Sequence, residues 1–194
     1  MALSAEEVIQ HIVLAFRTRV VQKDAPIFQS FSSEVDAETM ERLARDTAWI
    51  DLSHDVVCDN PLALALATPE AFAWLLPAYM VMSITLYAET DTLTNTIITC
   101  LTPPDDADKA QFSELVEDMR AMGVDLDEAE EGSADEDAGV LELFRERVAV
   151  LTEFEKVAVR DYLEYIDATH GEDFPVFGPK QALERYWRMA APSR

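Results

Sequence analysis

Apolar and polar positions alternate at helical spacing along most of this chain, and one stretch carries almost no polar position at all. From Thr68 to Leu86 the sequence reads TPEAFAWLLPAYMVMSITL, with Glu70 its only ionised residue. Phe72, Leu75, Leu76, Tyr79, Met82 and Leu86 recur at helical spacing, and Ala, Val and Ile fill the remaining faces. A helix apolar all round is either buried in protein or spans a membrane. Thr68 suits the cap, Pro69 the first helical position and Glu70 the positive end of the helix dipole. Pro77 removes one backbone bond and predicts a kink. That proline, Tyr79, the alanines and the absence of basic flanks favour burial in protein over a membrane span.

The other elements follow from the same pattern. Ser4 and Glu7 make a capping box for a first helix to about Val21, with Val8, Ile12, Ala15 and Phe16 apolar and Arg17 and Arg19 near its negative end. A short helix is expected over about 37–46, capped by Asp36, with Trp49-Ile50 as an apolar anchor after it. One turn within 62–67 precedes the central helix. Further helices are predicted over 91–101, 108–122 and 140–150. Thr152 and Glu155 form a second capping box and open a helix to about Thr169, whose face is Val159, Tyr162, Leu163 and Ile166. His170-Gly171 ends it, with His170 as a partner of the helix dipole. The loop EDFPVFGP should pack back on the body, and a last helix spans 180–190. The expectation is a mainly α, single-domain bundle over residues 1–194, of about seven helices around a kinked central apolar one. Only five glycines argue against an all-β chain.

Charge changes this picture in one respect. Thirty-eight acidic residues face fifteen basic ones, a formal net charge of −23. Such a field repels nucleic acid and anionic membranes and attracts basic partners. Scarce lysine beside arginine also suits a GC-rich or salt-adapted source, in which case the acidity is solvation alone. The charge is densest at DLDEAEEGSADED, where Asp125, Asp127, Glu128, Glu130, Glu131, Asp135, Glu136 and Asp137 fall within thirteen residues. So much like charge with little to bury predicts a solvated loop or insertion over about 124–138. The tract lacks the loop glycine of an EF-hand, so no calcium site is read there.

Candidate chemistry is sparse. Ser53, His54, Asp55, Cys58 and Asp59 crowd into one segment, yet no nucleophile elbow or zinc spacing surrounds them. Cys58 and Cys100 are too few for a disulfide framework, and two reduced thiols without metal are expected. His11 reads as a residue at the edge of the first helix rather than a ligand. No cofactor, metal or catalytic residue is assigned. The N-terminus, with two early glutamates and no basic leader, does not read as a signal peptide, and a cytoplasmic location follows as an expectation.

Ala15-Phe16, Trp49, Thr68-Pro-Glu-Ala-Phe72 running into Leu76-Pro-Ala-Tyr79, Leu101-Thr-Pro103, Leu151-Thr152 with Val159, Tyr162 and Leu163, and Tyr186-Trp187 together carry a resemblance. The chain resembles an uncharacterised family of small bacterial proteins, a domain of unknown function. The residues concerned are packing and capping types, so the resemblance implies a shared fold and no catalytic residue. The acidic tract looks like an insertion relative to shorter members. Three readings of function remain. One is a non-catalytic binding or inhibitory protein, of the immunity or antitoxin kind, that meets a basic protein partner through the acidic tract. Another is an enzyme whose site is scattered in sequence, for example over His54, Asp55, Tyr79 and Glu70. The last is an acidic protein without such a role.

Overall fold

The computed structural model describes residues 3–22, 24–29, 37–105, 134–175 and 177–190, with the backbone alone at 37–39, 91 and 134–138. Among these residues the architecture is helical, and the single β-type pairing is an isolated antiparallel bridge between Phe28 and Ala67. In chain order the helices are α1 (Ala5–Phe16), α2 (Ala37–Asp46), α3 (His54–Cys58), α4 (Ala63–Leu66), α5 (Pro69–Thr85) and α6 (Asp91–Leu101). Then come α7 (Ala134–Ala149) and α8 (Glu153–His170). The C-terminal α9 is one continuous run, Pro179–Ala182, a π-helical turn Leu183–Trp187 and Arg188–Ala190.

The body is built around α5, as its sequence requires. Every side chain from Ala71 to Met80 is buried, and the helix runs without interruption through Pro77. It packs against α1, α6, α7 and the short 3-10 turn Trp49–Asp51. No described helix is long and apolar enough to cross a membrane. Full burial of a large apolar side chain is worth about 1.5–3 kcal/mol, so Phe72, Trp74, Leu75, Leu76, Tyr79 and Met80 make a large contribution to the core. Thr68 occupies the cap position, but its hydroxyl does not cap. It donates to the Pro26 carbonyl at 2.8 Å, and the Thr68 amide donates to Ile27 at 2.9 Å. The start of the central helix is thereby tied to the chain that leaves α1.

Both predicted capping boxes form, Ser4 with Glu7 and Thr152 with Glu155. Four expectations are corrected. First, α1 stops at Phe16 rather than near Val21, because Arg19 leaves the helix to pair elsewhere. Second, Ile50 is exposed, and Trp49 alone anchors the segment, donating from Nε1 to the Phe16 carbonyl at 2.9 Å. Third, α7 begins at Ala134, so Asp135, Glu136 and Asp137 have helical backbone rather than loop; acidic residues suit the positive end of a helix. Fourth, the last helix contains the π turn. That turn carries Trp187 to a buried position, where its Nε1 donates at 2.7 Å to Leu101, a carbonyl left free at the end of α6. The helix expected over 108–122 lies outside the described residues.

Candidate functional site

Helix α8 organises the polar chemistry of the molecule, because all of its residues from Ala158 to Leu163 are buried although two of them are charged. A helix can be enclosed in this way only if its ionised groups find partners. Near its start, Glu155 is almost wholly buried. Its carboxylate receives Nε and Nη2 of Arg19, both at 2.5 Å, and also the Thr152 amide at 2.7 Å. Arg19 Nη2 further donates to the Val150 carbonyl. The paired carboxylate holds the Arg19 guanidinium above its ordinary pKa. Two turns on, the Asp161 side chain is fully buried and lies 2.8 Å from Nδ1 of His11, whose own side chain is 45% exposed. The His11 contact joins α1 to α8, and the Arg19 contact joins the segment just after α1 to the start of α8.

The buried Arg147 on α7 meets no carboxylate among the described residues. Its Nη2 donates to the carbonyls of Ala65 and Ala67 at 2.6 and 2.9 Å, and its guanidinium lies 4.8 Å from the centre of the Phe72 ring. The carbonyls are those that the short α4 leaves free, so the arginine closes that helix end and fastens α7 to the body. Its Nε has no partner among the described residues, and burial lowers its pKa.

The other end of α8 is different. Between the last turn of α8, the loop 171–175 and the start of α9 lies an open cleft of about 830 Å³. Asp167, Glu172, Asp173 and Glu184 line it, against one lysine, Lys180. His170 at its edge stacks on Tyr87 with ring centres 3.4 Å apart, and the Tyr87 hydroxyl donates to Asp173 at 2.9 Å. Glu184 lies 3.6 Å from Arg188 at the surface. The loop's return is close-packed: a Cβ on Gly178 would come within 2.7 Å of the Phe174 Cβ. A shallower depression of about 730 Å³ lies at the end of α1, where Leu14, Val20 and Phe154 are exposed.

The residues singled out from sequence fare unevenly. Asp125, Asp127, Glu128, Glu130 and Glu131 lie outside the described residues, and Asp135, Glu136 and Asp137 begin α7. Ser53 caps α3, accepting from the Val56 amide at 3.4 Å, and exposed His54 lies 3.3 Å from its neighbour Asp55. The Tyr79 hydroxyl is spent on the Asn60 carbonyl at 2.6 Å, and Glu70 is exposed on the first turn of α5. Of the scattered set, His54 and Asp55 thus meet each other at the surface, while Tyr79 is committed to Asn60. Cys58 and Cys100 are free thiols, and no group of metal-ligating side chains occurs among the described residues. Although Cys100 is only part-buried as a residue, its thiol is desolvated and pushed up to about 11. Sequence reasoning missed both the His11–Asp161 pair and the acidic cleft. Comparison of the chain with protein-family models, with curated proteins and with solved structures finds no match in any of the three.

Proposed function

We propose that this is a non-catalytic binding protein that receives a basic protein partner, in the manner of an immunity or antitoxin protein, and that the acidic cleft at the end of α8 is part of the receiving surface. The observation that carries this reading is the gathering of Asp167, Glu172, Asp173 and Glu184 around one cleft, with Lys180 the one lysine among the described residues that line it. The net charge of −23 supports it, since a field of that sign accelerates encounter with a cationic partner and repels phosphate backbones. The eight acids between Asp125 and Asp137 add to the charge that would draw such a partner. The proposed kinship with the uncharacterised bacterial family rests on the central Thr-Pro-Glu-Ala-Phe and Leu-Pro-Ala-Tyr motif.

The test uses a fluorescent arginine-rich peptide as the probe and two variants of equal charge. In one, Asp167, Glu172, Asp173 and Glu184 become their amides; in the other, Asp51, Asp55, Asp59 and Glu89 do. The proposal expects the first variant to lose most of the affinity and the second to keep most of it. Equal losses would mean that the probe senses net charge alone. One observation favours a second reading, an enzyme: the buried Asp161 orients the Nδ1 side of a half-exposed imidazole, the arrangement of a general base and its orienting group. That reading requires turnover of a chromogenic ester or amide that disappears in a folded His11→Gln variant.

A further inference from the structure

We draw no further inference here: the strongest candidate, the apolar surface patch of Leu14, Val20 and Phe154 beside the C-terminal end of α1, is an unpartnered face, and nothing in the structure shows what covers it.

Discussion

The two ends of α8 carry the same kind of side chain under opposite conditions. Toward its start, Glu155 and Asp161 are buried, and each meets a basic group at hydrogen-bond distance, Arg19 just beyond α1 and His11 on α1. At its end, Asp167 and the nearby Glu172, Asp173 and Glu184 surround an open cleft with one lysine among them. A buried carboxylate left without a partner would cost several kcal/mol, so the first group has to be compensated for the chain to fold. The second group faces water and bears no such requirement. The buried carboxylates are thus matched by basic groups of the chain, whereas those at the cleft have only surface contacts, Asp173 with the Tyr87 hydroxyl and Glu184 with Arg188. In a protein of net charge −23, location rather than number separates the two groups of acids.

The comparison breaks most directly at Glu155. Glu155→Ala strands Arg19 and removes half of the second capping box, and it should cost about 3–5 kcal/mol in denaturant melts. A loss near zero would mean that the buried end of α8 is not held by its charges. Alkaline pH probes the same interior through groups that must stay neutral. Burial raises the Cys100 thiol from 9.0 to about 11 and raises the Tyr79 and Tyr162 phenols above their ordinary 10.0. Each folded pKa exceeds its unfolded value, so the stability is fully present below about pH 9 and is lost as pH rises through the folded values. The thiol alone accounts for roughly 2–3 kcal/mol. Melting temperature should fall steeply from about pH 9 upward, while tyrosinate absorbance from these two residues waits for unfolding; a flat profile to pH 11 would contradict their burial.

A smaller effect is expected at the second bridge. His11→Ala leaves Asp161 buried without its imidazole and should cost about 1–3 kcal/mol. A double-mutant cycle with Asp161→Asn should return a coupling of at least about 0.5 kcal/mol, whereas additive effects would show the pair to be incidental. The smallest change in stability belongs to the cleft. Neutralising all four of its acids should shift stability by less than about 1 kcal/mol in total, because exposed charges contribute little to folding. A large loss there would erase the distinction between the two ends.

Much of the fold was legible in the sequence, because it rests on local signals. The capping boxes at Ser4 and Thr152 each need four consecutive residues, and the enclosure of α5 follows from a run with no polar face. The polar site was not legible, because its partners are remote. Arg19 reaches Glu155 across 136 positions and His11 reaches Asp161 across 150. Helical spacing gave Arg19 to the dipole of α1, the local use of a cation at that place. Asp161 falls off the apolar stripe of Val159, Tyr162, Leu163 and Ile166, so periodicity assigns it to solvent. It is buried because α8 is covered by α1 as well as by the C-terminal helix. The cleft acids sit in a segment read only as a helix end and a packed loop, and only the fold of that loop against α9 brings Glu184 beside Asp167. The π turn has no marker in LERYW that distinguishes it from ordinary helix.

The most direct test of the account is where a basic ligand lands on the folded protein. Amide chemical-shift mapping with the arginine-rich peptide, at physiological salt where diffuse attraction is largely screened, separates a site from a field. The account predicts that the largest shifts gather around the cleft, at Thr169, Gly171, Gly178 and Gln181, and vanish when Asp167, Glu172, Asp173 and Glu184 are amides. Small shifts spread evenly over the exposed acids, Asp51, Asp55, Asp59 and Glu89 among them, and unchanged by that replacement, would contradict it.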